Sequence, residues 1–283
     1  MALRPCPLNM SPRITVFLAI CLWIAPDATG QTEKSPSWME NITRLPPGDY
    51  AILRPVKLNY VLGWNNRVNA GKFEVSVARS TDKQGRFIGD ATGQSSGFAR
   101  LLYPYDFRAR SIINESSLRP INFQLSEKER NSVNSYDIIF ESARQVYTTT
   151  AKRKDQAATT NTTKFNFDFG QDILSAALYL RTQPLEIGEE ISMVVAPFNH
   201  PYLAKCQVTG NESRKIKGKT YSTIRLDVEV GKINGDLSIK TYDHIKRTTL
   251  WMSNDEYRIP LELQTQISVG FISARLVELK WLE

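Results

Sequence analysis

One segment of this 283-residue chain, residues 172–182, has the spacing and end signals of a buried α-helix, and most of the rest has the alternation of strands. Asp172 is a favourable N-cap, and Pro184 stops a helix shortly after its end. Between them apolar residues recur at helical spacing, namely Ile173, Leu174, Ala177 and Leu178. Because so short a helix is marginal in water without a covering surface, the sequence predicts a sheet that curves around it.

Strand signals fill most of the remaining chain. The clearest lies at 56–64, where Val56, Leu58 and Tyr60 alternate with other residues, the period of a half-buried strand. Further strands are predicted at 73–77, 109–114, 121–127, 135–142, 145–151, 190–196, 202–209, 220–230, 237–241, 247–252, 257–264 and 270–279. The predicted fold class is mainly β, a strongly curved antiparallel sheet or half-barrel with one buried helix.

Three predictions concern the segments between these strands. A long loop is expected at 82–97, a short helix near 97–103 and an exposed polar excursion at 151–164. Pro260 cannot donate to a sheet ladder, so it should lie at an edge or a bulge.

The N-terminus has the pattern of an export signal. Arg4 and Arg13 precede an apolar run at 14–25, and small residues at 28–30 suit a signal peptidase. We predict that residues 1–30 are a cleaved signal peptide, 31–47 a flexible lead-in and 48–283 a single curved β-sheet domain. A lipoprotein signal at Cys21 is one alternative; an uncleaved membrane helix is another, although a span needs about 20 apolar residues. The mature protein is therefore expected in the periplasm or outside the cell, with no transmembrane segment.

The cysteine content limits the disulfides that the mature protein can form, and its net charge limits the molecules that it is expected to bind. Removal of the signal takes away Cys6 and Cys21, which leaves Cys206 without an intramolecular disulfide partner. The formal net charge of +7 is compatible with attraction to anionic lipid headgroups or acidic polysaccharide. We expect no nucleic-acid partner, because the chain is exported and has no nucleic-acid-binding signature.

Several motifs suggest chemistry but have simpler structural explanations. The letters GQSSG at 93–97 match a nucleophile elbow with Ser95 as nucleophile and His200 or His244 as base, but that elbow needs an α/β sheet. The run 218–220 lacks the first glycine of a phosphate-binding loop. Two histidines and one remaining cysteine are too few for a typical zinc site, so we expect no metal and no cofactor.

Paired carboxylates for glycoside cleavage remain an open alternative. Such a pair could come from separate loops that converge in space. The candidates are Glu189, Glu190, Asp243, Asp255 and Glu256.

A set of motifs occurs together in this sequence: LRPVKLNY at 53–60, AG at 70–71, LRP at 118–120, DILSAALYLR at 172–181 and LWMSNDEYRIP at 250–260. Together they resemble a bacterial family of exported envelope proteins, the domain of unknown function 3108, over about residues 53–279. The resemblance implies no established activity. It implies a curved antiparallel sheet like the half-barrels of periplasmic lipoprotein carriers, with helices against the concave face.

The resulting hypothesis is a non-enzymatic periplasmic envelope protein. Its curved sheet would bind an apolar or amphipathic ligand, or a protein partner, in cell-envelope maintenance. Arg181, at the helix end, would meet an anionic headgroup, and the aromatic ligand-binding residues would be Tyr60, Trp64, Phe73 and Trp251. The alternative is a hydrolase that acts on envelope polysaccharide through carboxylates the sequence does not identify.

Overall fold

A computed structural model describes residues 36–241, 247–267 and 270–283. These ranges contain three helices, α1 (Ser37–Glu40), α2 (Gly97–Leu102) and α3 (Ile173–Arg181). They also contain sixteen strands: β1 (Val56–Trp64), β2 (Val68–Arg79), β3 (Arg86–Ser95), β4 (Tyr105–Asn114), β5 (Pro120–Glu129), β6 (Ser132–Phe140), β7 (Gln145–Arg153), β8 (Thr159–Phe165), β9 (Gly170–Gln171), β10 (Glu190–Val195), β11 (Tyr202–Ile216), β12 (Lys219–Ile233), β13 (Ile239–Thr241), β14 (Arg247–Ser253), β15 (Pro260–Gln266) and β16 (Phe271–Trp281). The predicted signal peptide, residues 1–30, lies outside the described residues.

All sixteen strands belong to one sheet. Its order is β8-β7-β6-β5-β4-β3-β2-β1-β16-β15-β14-β12-β11-β10-β9, with β13 paired to β12. Neighbouring strands run antiparallel, as β1 does with both β2 and β16, whereas β9 and β10 are parallel. The sheet is not closed, so β8 and β9 are its two edges. The mainly β fold class is confirmed.

The two faces of the sheet differ because side chains alternate along each strand. Tyr60 of β1 is buried and pairs with Phe73 of β2, and Val77 on the same face of β2 pairs with Gly89 of β3. Helix α3 lies on this side, since a Cβ added at Gly89 would be 3.2 Å from Leu174 Cδ1. We call this side the helix face and the opposite side the outer face.

Helix α3 contacts strands that are far apart in the sheet. It packs against β4 and also against β10, which is nine strands further along the order. Nine spacings of about 4.8 Å would place these strands roughly 43 Å apart in a flat sheet. A helix with its side chains is only about 10 to 12 Å wide, so the sheet must curve around it. The predicted strong curvature is confirmed.

The start of α3 is fixed by a capping box. Asp172 Oδ1 accepts hydrogen bonds from the backbone N–H groups of Leu174 at 2.7 Å and Ser175 at 3.0 Å. In return Ser175 Oγ accepts from the N–H of Asp172 at 2.9 Å. Leu178 and Tyr179 are buried on the helix, so the predicted buried helix and its cap are both present.

The segments between the predicted strands have mixed outcomes. The short helix is confirmed as α2, and Pro260 lies beside a bulge between Trp251 and Met252. The loop expected at 82–97 is wrong, because most of it is strand β3. The excursion expected at 151–164 is also wrong in part, because the edge strand β8 occupies most of its second half and pairs with β7.

Part of the expected lead-in, residues 36–47, is described by the structure. Trp38 and Ile42 are buried there, and the N–H of Thr43 donates to the carbonyl of Ser192 at 2.9 Å. The hydroxyl of Tyr179 on α3 donates to the carbonyl of Leu45 at 2.6 Å. These contacts attach the segment to β10 and to α3. The domain boundaries proposed from the sequence remain a prediction.

Candidate functional site

Tyr60 and Phe73 lie together on the helix face. Their rings stack with centroids 4.6 Å apart and planes 7° from parallel, and the Tyr60 hydroxyl donates to the Pro260 carbonyl at 2.7 Å. Burial raises the pKa of Tyr60 above its ordinary value, partly offset by the nearby positive charge of Arg181. The stacking of the two rings and the hydrogen bond of the Tyr60 hydroxyl therefore explain the positions of both side chains, and no ligand is needed to explain them.

Arg181 is close enough to Tyr60 to interact with it electrostatically, but its guanidinium is enclosed by protein. The side chain donates twice to the carbonyl of Tyr257, at 3.0 and 2.7 Å, and once to that of Ile52 at 3.4 Å. Burial lowers its pKa to about 10, and the charges of Tyr60 and Asp255 oppose that shift. Arg181 thus ties the helix end to the β14–β15 turn and to the segment before β1.

The other two predicted residues lie elsewhere. Trp251 is buried, its indole N–H donates to the Glu212 carboxylate, and the Arg214 guanidinium lies 4.0 Å from its ring centroid. Trp64 ends β1 and is 43% exposed. The structure therefore brings Arg181, Tyr60 and Phe73 together and leaves Trp64 and Trp251 in other environments. A ligand role for these five residues remains a prediction.

The serine and histidine candidates are not paired in the described part of the chain. Ser95 Oγ accepts from the N–H of Tyr105 at 3.0 Å. His200 lies in the loop before β11, where burial and the nearby Lys232 lower its pKa to about 4, so it is neutral at physiological pH. His244 is outside the described residues. Cys206 is buried as well, and burial raises the pKa of its thiol to about 12, which leaves it unreactive.

Of the carboxylates considered for glycoside cleavage, Asp243 is outside the described residues. The others lie in two places, Glu189 and Glu190 where β10 begins, and Asp255 and Glu256 in the β14–β15 turn. Glu190 begins β10 and accepts from the Ser192 hydroxyl at 3.0 Å, whereas Asp255 lies in the β14–β15 turn and accepts from the Ser253 hydroxyl at 2.8 Å. A general acid needs a raised pKa and access to substrate. Burial raises the pKa of Asp172 to about 6, but that carboxyl is fully enclosed at the base of α3. Across the described ranges, no group of three or more His, Cys, Asp and Glu side chains could hold a metal ion.

Sequence reasoning missed an exposed apolar surface at one end of the sheet. The register pairs Trp64 with Val68 in the β1–β2 hairpin, and the next residues of β2 lead to the start of α2, where the Ser96 N–H donates to the Ala70 carbonyl. No residue of α2 is buried. Five large side chains are exposed here, by 43% at Trp64, 44% at Val68, 67% at Phe98, 73% at Leu101 and 67% at Leu102. We call these five residues the apolar rim.

Arginines surround the apolar rim. Arg67 is exposed in the hairpin turn between Trp64 and Val68. Arg130 donates to the carbonyls of Leu101 at 2.8 Å and Leu102 at 3.4 Å, where a cation meets the negative end of a helix. Arg100 forms an ion pair with Asp106 at 2.8 Å. The rim is therefore apolar at its centre and mainly cationic at its border.

The sequence contained a signal for this surface. Phe98, Leu101 and Leu102 recur at positions i, i+3 and i+4 of α2, so all three lie on one side of the helix. The sequence alone located the helix, but whether the sheet covers it depends on packing. A contiguous exposed apolar patch on a folded chain marks an interaction surface.

Comparisons with known proteins place the chain by family and by fold. A family model described as protein of unknown function (DUF3108) matches residues 59–277. No curated protein matches the sequence.

Solved structures give a likeness of fold. A beta-barrel-like protein of the domain of unknown function DUF1849 from Brucella abortus aligns with a TM-score of 0.50 at 10% identity, over 82% of this chain and 99% of that one. A candidate exported protein with a YmcC-like fold from Bacteroides fragilis aligns at 0.36 and 6% identity, over 83% and 99%. A candidate lipoprotein from Parabacteroides distasonis aligns at 0.31 and 7% identity, over 83% and 99%. At these identities the likeness concerns the fold alone.

Proposed function

The chain belongs to the family described as protein of unknown function (DUF3108), and we propose that it is a non-enzymatic envelope protein that binds an anionic lipid surface through the apolar rim. The observation that carries this proposal is the exposure of Phe98, Leu101 and Leu102 on a helix with no buried residue. Such side chains are unfavourable in water and have no covering element among the described residues. A lipid interface would remove them from water.

The chemistry of the rim favours a bilayer over a single small apolar molecule. Full burial of a Leu or Phe side chain contributes about 1.5 to 3 kcal/mol, so partial insertion of three such residues supplies several kcal/mol. Trp side chains are enriched at the headgroup level of membranes, and the exposed Trp64 is suited to that region. Each arginine near an anionic surface adds about 1 kcal/mol. Arg67 and Arg130 are placed for that contribution.

Export is part of the same proposal. The basic residues, the apolar run and the small residues of segment 1–30 support cleavage after Gly30 and delivery to the periplasm or beyond. Within the described ranges no helix combines the length and the apolarity that a bilayer span requires. N-terminal sequencing of protein isolated from its host tests the cleavage site. Gln31 as the first residue supports cleavage after Gly30, whereas Met1 contradicts export by signal cleavage. A lipid on Cys21 contradicts cleavage after Gly30 and supports export as a lipoprotein instead.

Vesicle flotation tests the membrane-binding proposal. Wild type and the double variant Leu101→Ser/Leu102→Ser are mixed with vesicles of phosphatidylglycerol and phosphatidylcholine, and the bound fraction is measured. The matched control is Ile139→Ser/Ile187→Ser, which removes two apolar side chains that are 48% and 66% exposed outside the rim. We expect the rim variant to lose at least tenfold in partition coefficient and the control to bind like wild type.

The same flotation assay can also contradict the membrane-binding proposal. Vesicles of phosphatidylcholine alone should bind wild type more weakly, because the arginines then have no anionic partner. Equal binding by wild type and the rim variant, or no binding by wild type, would sink the proposal. Thermal unfolding of each variant shows that loss of binding is not loss of fold, since the substituted side chains are already exposed.

A further inference from the structure

The outer face carries two adjoining grooves, on the opposite side of the sheet from α3. The larger has a volume of about 960 Å³ and the smaller about 690 Å³, and both are lined by Thr92, Arg108 and Ser126. Together they extend from β16 to β7 in the sheet order. Seven strand spacings of about 4.8 Å give a length of roughly 34 Å. We call this combined surface the trough.

Hydroxyl groups line the middle of the trough on both sides of Arg108. The register pairs Thr92 with Arg108 and Arg108 with Ser126. It continues from Ser126 to Ser135 and from Ser135 to Thr150. Because paired residues in a sheet point to the same face, a row of donors and acceptors crosses five strands with one guanidinium in it.

The anions of the trough are already engaged, whereas its central cation is not. Glu74 pairs with Lys57 at 2.8 Å, and Asp106 pairs with Arg100 at 2.8 Å, which holds the pKa of Asp106 below its usual range. Asp137 accepts from Asn122 at 2.6 Å. Among the described residues, no ion pair or hydrogen bond involves the exposed Arg108 side chain. Asp90 also pairs with Arg110, at 3.9 Å, whereas Asp137 and Glu278 keep their negative charge because their partners are the neutral amides of Asn122 and Asn59. At its centre the trough therefore presents one unpaired guanidinium, that of Arg108, beside neutral hydroxyls.

We propose that the trough binds an extended polysaccharide that carries carboxylate groups, with one carboxylate held by Arg108. A guanidinium forms two parallel hydrogen bonds with a carboxylate, and the flanking hydroxyls match the hydroxyls of sugar rings. The length of the trough suits a polymer better than a monosaccharide. A peptide could not add as a strand here, since the strands beneath are paired on both edges. This inference is independent of membrane binding at the apolar rim.

Binding to polygalacturonate measured by isothermal titration calorimetry tests the proposal. Arg108→Gln keeps a polar side chain and removes the charge, and it should weaken binding at least tenfold. The matched control is Arg153→Gln, which removes an exposed charge at the end of β7, outside both grooves. The control should stay within twofold of wild type. Circular dichroism and thermal unfolding confirm that both variants are folded.

Two comparison ligands sharpen the test. Dextran, a neutral polysaccharide, should bind wild type at least tenfold more weakly. Polyphosphate, which can pair with Arg108 but has no sugar hydroxyls, should bind more weakly than polygalacturonate at equal charge concentration. No binding of polygalacturonate, equal loss in both variants, or tighter binding of polyphosphate would overturn the proposal. Vesicle flotation of Arg108→Gln should match wild type, so failure here is distinguishable from failure of the membrane proposal.

Discussion

Ser111 of β4 and Asp172 at the start of α3 are 61 residues apart in the chain, yet Ser111 Oγ donates to Asp172 Oδ2 at 2.5 Å. Both residues are completely buried. The other carboxylate oxygen, Oδ1, caps the helix through Leu174 and Ser175. One carboxyl group therefore fixes where α3 begins and which strand its N-terminus meets.

This arrangement predicts a pH-dependent stability. Burial raises the pKa of Asp172 to about 6 in the folded protein, against about 3.9 in an unfolded chain. Because the folded state holds the proton more tightly, the contribution is fully present below about pH 4 and is lost as pH rises through 6. A shift of about two units corresponds to a contribution on the order of 3 kcal/mol.

The variant Asp172→Asn isolates that contribution, because an amide does not titrate. Urea unfolding of wild type and variant between pH 3.5 and 7.5 gives the difference in unfolding free energy at each pH. Wild type should lose stability relative to the variant as pH rises. A difference that stays flat across this range contradicts a raised pKa at Asp172.

The central helix should contribute to stability through one of its sides. Leu178 is 3% exposed, so Leu178→Ala should lower the unfolding free energy by about 2 to 5 kcal/mol. Ile173→Ala in the same helix is the control, since Ile173 is 36% exposed and should cost clearly less. Chemical denaturation measures both. Similar losses of unfolding free energy at the two positions would mean that burial against the sheet does not determine the loss of stability.

Gly93 should tolerate no side chain. A Cβ there would lie 2.3 Å from Phe107 Cε1 and 2.7 Å from Phe73 Cβ. Gly93→Ala should therefore destabilise the fold by about 1 to 3 kcal/mol, the usual cost of overpacking. At Gly210 nothing lies within 4 Å of the added Cβ, so Gly210→Ala is the matched control. Unfolding free energies that drop equally in both variants would point to backbone effects instead of the aromatic contacts.

Arg181 should behave as a structural residue. Its removal leaves the Tyr257 carbonyl without two charged donors, each worth about 1.5 to 3 kcal/mol. Arg181→Ala should therefore destabilise the protein, and Arg181→Lys should recover part of the loss. Titration of a fluorescent fatty acid against wild type and both variants tests the alternative role in ligand binding. Saturable binding that weakens in Arg181→Ala, with unfolding unchanged, would favour the headgroup role.

The sequence predicted correctly the helices and strands that are marked by patterns of neighbouring residues, such as α3 and β1. Asp172 and Pro184 mark the ends of one helix, and the alternation through Val56, Leu58 and Tyr60 describes a strand with one buried face. Both signals depend only on neighbours within a few residues. The corresponding predictions agree with the structure.

Strand β3 was not predicted because a segment rich in glycine resembles a loop in composition. Its glycines at 89 and 93 suggested a loop, but each is required by a close contact with a distant residue, Leu174 in one case and Phe107 in the other. Glycine in a strand marks close approach as well as a turn, and only the folded structure distinguishes the two. Strand β8 was missed for another reason. Its Thr and Asn side chains are exposed on both faces, so no alternation exists to detect.

The surroundings of the candidate site residues depend on contacts between distant parts of the chain, and local sequence patterns do not predict such contacts. The sequence placed Trp251 on a strand correctly, but its environment is set by Glu212 and Arg214 from another hairpin. The position of α2 was likewise predictable, whereas its exposure was not. The row of residues around Arg108 requires the register of five strands, which local alternation does not specify.

The pairing of β1 with β16 sets the order in which the sheet can be completed. Most neighbours in the sheet are successive hairpin strands, which can pair as soon as both have been synthesised. The ladder from Val56↔Trp281 to Trp64↔Ile272 instead joins strands from opposite ends of the described chain. Until β16 has been synthesised, β1 exposes an unpaired edge that can recruit other chains. Until then β1 and β15 are both open edges at which nascent protein is exposed to aggregation, and a stop codon before Phe271 would leave the two halves of the sheet unjoined.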